Sequence, residues 1–219
     1  MGLRIKSYTI GVGMNCYLAW DEESKEAMIV DPGAYTAKIK QDIEQEGLSL
    51  KYIALTHGHS DHIGGVEKLR EAFPGALLAA GEAEAALLGD PHMNLSSMLF
   101  GKGIALSADI SLNEGDELKL GGLSFVVIET PGHTPGGLCL YTKDTDAALA
   151  EGEFSGTVFT GDTIFHSSIG RTDLPAGDFA TLIESIRTKL FPLPDDTLTL
   201  PGHMDPSTIG DEKRYNPFL

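Results

Sequence analysis

The sequence contains little cysteine and few basic residues. Its 219 residues include two cysteines, Cys16 and Cys139, each in an apolar, strand-like run that suits a buried reduced thiol better than a disulfide framework. Lysine and arginine number 16 against 32 aspartate and glutamate, so the formal net charge is −16. This charge, with no basic block of five or more residues to offset it, disfavours binding to nucleic acid or to an anionic membrane.

Long apolar segments are also absent from the sequence. No run of about 18 consecutive apolar residues occurs. Residues 1–10 alternate between apolar and polar side chains, so they lack the apolar core of a secretory signal. We therefore expect a cytoplasmic protein that spans no membrane, and no feature indicates an obligate protein partner. The length suits a single domain covering residues 1–219.

Apolar periodicity predicts strands and helices in two successive halves of the chain. The predicted strands cover 3–10, 15–20, 27–30, 52–55, 76–80, 107–112, 117–120, 123–128, 138–142, 157–160 and 197–200. The predicted helices cover 34–46, 63–73, 82–88 and 178–190, with Asp61 and His62 at the start of the second. Residues 90–103 form an insertion, either a loop that covers a site or a surface helix and turn, and 143–156 form a solvated acidic loop. We expect an α/β fold of two facing sheets with helices outside, which gathers the strand ends at one edge.

One hexapeptide concentrates side chains that bind metals. His57-Gly58-His59-Ser60-Asp61-His62 directly follows the predicted strand 52–55. Packing alone rarely collects three imidazoles and a carboxylate, because each needs a polar partner once it leaves water. A metal site is therefore the preferred interpretation. The alternatives are satisfied surface histidines and a closed structural metal site, although structural sites usually use cysteine.

Three further ligand-type residues recur downstream, each beside a glycine after a short apolar stretch. They are His133 in Pro131-Gly132-His133, Asp162 in Thr160-Gly161-Asp162, and His203 in Pro201-Gly202-His203. Seven ligands exceed what one tetrahedral zinc uses, so two divalent metal ions are implied. A natural partition gives one ion His57, His59 and His133, gives the other Asp61, His62 and His203, and lets Asp162 bridge both.

A pair of metal ions favours hydrolysis. Metals about 3.5–4 Å apart can share a hydroxide, because bound water loses its proton near neutral pH, and can stabilise a developing oxyanion. Asp61 and Asp162 are the predicted catalytic carboxylates, and Asp61 can be a ligand without acting as the base. We expect Zn²⁺, with iron or manganese as alternatives, since the donors include no thiolate to select zinc. A noncatalytic metal-binding module is the remaining alternative.

The motifs together resemble the metallo-β-lactamase fold superfamily across essentially the whole chain. Within it, residues 159–165, the segment Gly170-Arg171-Thr172-Asp173 and residues 208–219 look like those of the short glyoxalase II-like hydrolases. The resemblance implies a four-layer αββα sandwich, a dinuclear zinc or iron centre, and hydrolysis of a small glutathione thioester such as S-lactoylglutathione. A thioester also suits the chemistry, because a thiolate with a pKa near 8.5 departs without much protonation.

Differences within the same superfamily bear on the substrate. Longer glyoxalase II enzymes add a C-terminal helical domain whose basic residues hold glutathione, whereas this chain ends 16 residues after His203, so we expect no such domain. A rival function is that of a persulfide dioxygenase, an oxidoreductase whose family shares the fold and the Gly-Arg-Thr-Asp segment but uses one iron. In that case His57, His133 and Asp162 would hold Fe(II) and leave positions open for oxygen and substrate.

Two residues are candidate substrate contacts. Arg171 could pair with a substrate carboxylate, or it could brace its own loop through Asp173 or Asp178. His166 could orient a ligand or contact the substrate, or it could lie on the surface. Relatives usually have glycine after the last ligand histidine, where this sequence has Met204-Asp205. This difference could reshape the turn or place the carboxylate of Asp205 near the metals, or Asp205 could be solvated.

Overall fold

The structure is a computed structural model that describes residues 2–99, 101, 103–146 and 153–219. Within these residues the strands are β1 (Leu3–Ile10), β2 (Met14–Asp21), β3 (Glu26–Val30), β4 (Ser49–Ala54), β5 (Leu77–Gly81), β6 (Ile110–Leu112), β7 (Glu117–Leu120), β8 (Leu123–Glu129), β9 (Leu138–Thr142), β10 (Thr157–Gly161), β11 (Ile164–Phe165), β12 (Ser168–Ile169), β13 (Leu198–Pro201) and β14 (Ser207–Thr208). The helices are α1 (Ala37–Gln45), α2 (Ser60–Ile63), α3 (Val66–Ala72), α4 (Ala85–Gly89), α5 (Ser96–Leu99), α6 (Phe179–Ser185) and α7 (Ile209–Tyr215). A 3-10 turn, Glu82–Glu84, precedes α4, and a π turn, Ile186–Leu190, continues α6.

Most of these strands belong to two large sheets. Over the described residues, one sheet has the order β1-β2-β3-β4-β5-β6 and the other has the order β14-β13-β10-β9-β8-β7. Strands β3 to β6 are parallel neighbours, and so are β10 and β13. Parallel neighbours need crossover connections, which the helices provide, and their carboxyl ends lie at the same edge of the sheet.

Among the residues that the structure describes, three buried apolar clusters separate four layers. The cluster between the two sheets includes Tyr17 and Phe159, whose rings meet edge to face. On the outer face of the first sheet, Ile39 of α1 and Leu69 of α3 pack against side chains that point away from the second sheet. On the outer face of the second sheet, Leu182 of α6 does the same. This arrangement confirms the predicted four-layer αββα sandwich.

The predicted elements agree with the structure except where they are short or interrupted by glycine. The helix predicted over 63–73 is wrong as one continuous segment, because Gly64 and Gly65 separate α2 from α3. Glycine weakens a helix interior by about 1 kcal/mol relative to alanine. The strand predicted over 107–112 begins only at Ile110. Strands β11, β12 and β14 have two residues each, which is too short to display an alternating pattern, and α7 was also missed.

The acidic loop predicted at 143–156 is described only in part, since residues 147–152 lie outside the described residues. Asp146 is buried, and its Oδ2 accepts a hydrogen bond from the backbone N–H of Ile5 at 2.8 Å. The prediction of a solvated surface is therefore wrong at this residue. Cys16 and Cys139 are buried free thiols, as predicted. Across the described ranges, every helix is too short or too polar to cross a bilayer.

Candidate metal centre

The predicted ligand residues meet where the ends of several strands come together. Residues 57–62 follow β4 and run into α2, whereas His133 follows β8. Asp162 directly follows β10, and His203 lies just beyond β13. The two sheets face each other, so these turns deliver side chains from both halves of the chain to one edge. All seven side chains selected from the sequence lie in this cluster.

Six of the seven side chains form two groups of three. One group comprises His57, His59 and His133, and the other comprises Asp61, His62 and His203; within each group the potential ligand atoms lie within 4.8 Å of one another. In the first group, His59 Nδ1 and His133 Nε2 are 2.9 Å apart. In the second, His203 Nε2 lies 3.3 Å from Asp61 Oδ2. The groups coincide with the partition inferred from the sequence.

Asp162 lies between the two groups. Its Oδ1 is 3.4 Å from His62 Nε2, and its Oδ2 is 3.5 Å from His133 Nε2 and 3.7 Å from His203 Nε2. The backbone of Gly202 passes so close to Asp162 that a Cβ there would collide with its Oδ1 atom. Any other residue at position 202 would therefore displace this carboxylate.

Several buried atoms in the cluster have no hydrogen-bond partner. Among the described residues these include His57 Nε2, His62 Nε2 and Asp162 Oδ1. A buried polar atom left unsatisfied costs about 1–3 kcal/mol, so a cluster of them indicates a missing partner. Imidazole nitrogens and carboxylate oxygens are the donors that zinc, iron and manganese accept. The side chains therefore fit divalent metal ions.

Burial keeps His57 and His59 of the first group neutral. Burial lowers the pKa of His57 well below its usual value, and the surrounding imidazoles, with His62 the strongest, lower it further. Burial and the nearby His133 lower the pKa of His59 to about 3. Both rings are therefore uncharged at neutral pH, which is the form of imidazole that binds a metal.

In the second group, neighbouring carboxylates raise the pKa values of the two histidines. Burial lowers the pKa of His62, but the charges of Asp162 and Asp31 outweigh burial and raise it to about 9. The hydrogen bond with Asp61 raises the pKa of His203. Burial raises the pKa of Asp61, but the hydrogen bond from His203 and the charges of His62 and His203 together lower it below its usual value, so the carboxylate is ionised.

Asp31 is a site residue that sequence reasoning missed. Its Oδ1 accepts from the backbone N–H of Thr56 at 2.7 Å, and its Oδ2 accepts from the Thr56 hydroxyl at 2.6 Å and lies 3.1 Å from His62 Nδ1. Asp31, His57 and His62 also lie within 4.8 Å of one another. Since its oxygens already have these partners, Asp31 orients His62. Its position directly after β3 was the signal available in the sequence.

Glu84 was also missed, and it joins two ligand loops. This fully buried carboxylate accepts from the backbone N–H of Gly58 through Oε1 and from that of Gly136 through Oε2, both at 2.8 Å. Gly58 separates His57 from His59, and Gly136 follows His133 by three residues. Glu84 therefore fixes the spacing of the two loops that supply the first ligand group.

The predicted substrate contacts have different surroundings. The guanidinium of Arg171 binds both carboxylate oxygens of Asp173, at 2.9 and 2.8 Å. The backbone oxygen of Arg171 accepts a hydrogen bond from His133 Nδ1 at 2.7 Å. Asp178 instead caps α6 by accepting from the backbone N–H of Thr181. His166 is exposed in the turn between β11 and β12. Of the two, Arg171 alone lines the cavity beside the cluster.

A cavity of about 570 Å³ opens onto the cluster. Its apolar walls include Leu95, Met98 and Leu99 from the insertion 90–103. This segment forms turns and the helix α5, so it combines features of both interpretations given from the sequence. Phe100 and Lys102 lie outside the described residues. Met204 also lines the cavity and adopts φ +68°, the left-handed conformation that a glycine would take without strain.

Comparison with known proteins assigns the family. The metallo-beta-lactamase superfamily model matches residues 10–203. Hydroxyacylglutathione hydrolase GloC of Haemophilus influenzae is 41% identical over 206 residues, covering 94% of this chain and 92% of that protein. Among solved structures, the BLEG-1 B3 metallo-beta-lactamase superposes with a TM-score of 0.85 at 36% identity, over 99% of both chains. TTHA1623 in a di-iron-bound form gives 0.78 at 33% identity, over 98% of this chain and 100% of that one. The chain therefore belongs to the metallo-beta-lactamase superfamily.

Proposed function

We propose that this protein is a metal-dependent hydrolase of small thioesters, acting on S-lactoylglutathione or a related hydroxyacyl thiol with two divalent cations, Zn²⁺ being expected. The observation that carries this proposal is the position of Asp162, whose oxygens face His62 on one side and His133 on the other. A carboxylate between two ligand groups suits a bridge between two cations. The similarity to GloC, a hydroxyacylglutathione hydrolase, supports the thioester substrate.

The side chains divide the work of the reaction. His57, His59 and His133 would hold one cation, Asp61, His62 and His203 the other, and Asp162 would contact both. When bound, the cations supply a water of lowered pKa and positive charge beside the substrate carbonyl. Hydrolysis joins the water oxygen to the carbonyl carbon and breaks the carbon–sulfur bond, whose electron pair leaves with sulfur as a thiolate. The protons of the water pass to solvent, and the acyl group leaves as a carboxylate.

The surroundings of the cluster suit a leaving group of this kind. A thiolate with a pKa near 8.5 needs no proton from a general acid. Apart from the cluster, Arg171 is the only titratable side chain among the described residues that line the cavity. Asp31 and the backbone oxygen of Arg171 each hold the far nitrogen of a ligand imidazole, which fixes the direction of its other nitrogen.

The test combines metal analysis with an assay of thioester hydrolysis. Full-length protein loaded with zinc, iron or manganese is assayed with S-lactoylglutathione, and its metal content is measured by mass spectrometry. We expect two metal ions per chain and a loss of at least about 100-fold in kcat for Asp162→Asn. Asp205→Asn, at an exposed carboxylate, is the control and should retain activity.

Inactivity on every thioester would refute the proposed substrate class. One iron per chain with oxygen uptake on glutathione persulfide would instead favour the dioxygenase, which needs only His57, His133 and Asp162 as ligands. The second group of three side chains supports hydrolysis over that alternative, because a mononuclear iron site leaves Asp61 and His203 without a role.

A further inference from the structure

A second cavity, of about 440 Å³, lies beside the candidate metal centre. Residues 10–14, at the connection between β1 and β2, form one wall. Asp61, His203 and Leu99 line both this cavity and the one that contains Arg171. The two cavities therefore meet at the ligands of the second group, so a substrate whose reactive bond sits there can extend one arm into each.

The wall formed by residues 10–14 is apolar and projects into solvent. Val12 is fully exposed at its tip, between Gly11 with φ +52° and Gly13 with φ +84°. These backbone conformations favour glycine, and they hold a valine at the point of the turn that is farthest from the sheet. Leu99 lines the same cavity and is 58% exposed. Two large aliphatic side chains thus remain solvated around a cavity that opens onto the site, where a ligand could cover them.

The two cavities differ in charge. Among the described residues that line the Val12 cavity, the charged or titratable side chains are Asp61 and His203, both members of the ligand cluster. The other cavity contains Arg171, whose ion pair with Asp173 is largely exposed and therefore weak enough to exchange for a substrate carboxylate. A thiol carrier with carboxylates fits the Arg171 cavity, and an apolar acyl group fits the Val12 cavity.

We propose that residues 10–14 and Leu99 form an acyl-binding subsite, so that the enzyme selects thioesters of aliphatic acyl groups longer than lactoyl. This inference rests on the proposed thioester hydrolysis for its role in turnover. Each methylene that leaves water on entering the subsite should strengthen binding about fourfold, the factor that corresponds to about 0.8 kcal/mol. The effect should continue until the acyl chain reaches the end of the cavity.

The experiment uses S-methyl-, S-butyl- and S-hexylglutathione, which cannot be hydrolysed, as ligands in calorimetric titrations of the zinc-loaded full chain. In parallel, kcat/KM is measured for S-acetyl-, S-lactoyl-, S-butanoyl- and S-hexanoylglutathione. We expect affinity and kcat/KM to rise with chain length, and Val12→Asp to abolish the rise. Tyr215→Asp, at an exposed residue of α7 that lines neither cavity, is the matched control and should keep the rise.

The two proposals fail in different ways. Equal affinity for all three thioethers, or an unchanged dependence on chain length in Val12→Asp, would overturn the subsite even if thioesters were hydrolysed. A dependence on chain length that Val12→Asp abolishes, without turnover of any thioester, would support an alkyl-binding subsite and refute the proposed function.

Discussion

Replacing Glu84 by glutamine tests whether one buried carboxylate sets the spacing of the first ligand group. Each carboxylate oxygen accepts one backbone N–H, from Gly58 and from Gly136, at 2.8 Å. Glutamine has nearly the same shape, but it offers one carbonyl oxygen and one amide group. The amide group would face a backbone N–H, so one of the two loops would lose its partner.

The expected loss of stability follows from these two contacts. A hydrogen bond to a charged group contributes about 1.5–3 kcal/mol, and a buried N–H left unsatisfied costs about 1–3 kcal/mol. Glutamine also avoids the desolvation that raises the pKa of Glu84, which offsets part of the loss. We therefore expect Glu84→Gln to lower the free energy of unfolding by about 2–4 kcal/mol and to weaken zinc binding about 10-fold to 100-fold.

Urea unfolding of the metal-free protein measures the first effect, and competition with a chromophoric chelator measures the second. Glu82→Gln is the matched control, because Glu82 lies in the same 3-10 turn but is exposed. The reasoning is refuted if Glu84→Gln equals this control in both stability and zinc affinity. A loss of stability with unchanged zinc affinity would leave Glu84 as a core residue that does not position the ligands.

Three further predictions concern stability. Burial raises the pKa of Asp42, but hydrogen bonds from Lys38, Lys6 and Tyr8 together lower it more, so its ionised form stabilises the fold. Asp42→Asn should lower the free energy of unfolding by about 1–3 kcal/mol at pH 7. In urea titrations this difference from the unmodified protein should vanish as the pH falls through the lowered pKa. Met204→Gly should raise the free energy of unfolding by about 0.5–1 kcal/mol, because glycine removes the strain at φ +68°; an unchanged or lower melting temperature would contradict this. Zinc at about 1,000 times its Kd should stabilise the protein by about 4 kcal/mol, and a chelator should reverse the rise in melting temperature.

The sequence predicts those features whose cause is local. The apolar runs mark the long strands, and glycine beside each of His133, Asp162 and His203 marks a turn at a strand end, so the ligand groups could be inferred before their geometry was known. Asp31 and Glu84 could not be inferred in this way. Glu84 reaches Gly136, which is 52 residues away, and a pairing of this length depends on how the two sheets dock.

Other differences between the sequence-based predictions and the structure also have physical causes. Asp146 is an acidic residue in an acidic stretch, and in the folded chain it is buried where β1 provides it with a backbone N–H. The structure also distinguishes the two partners that the sequence allowed Arg171 within its own loop. Asp173 is close enough to form a bidentate ion pair with Arg171, whereas Asp178 caps the start of α6. Neither distance can be read from spacing in the sequence.

The distribution of donors over the two halves of the chain has a consequence for assembly. The connection between the sheets, residues 113–116, follows four of the seven donors and precedes His133, Asp162 and His203. Each group of three thus draws on both sides of this connection. Cleavage there would give two fragments, and neither fragment would carry all three donors of either group. The two fragments should therefore associate only when the metal is present, and a chelator should separate them. The protein would then act as a metal-controlled complementation pair.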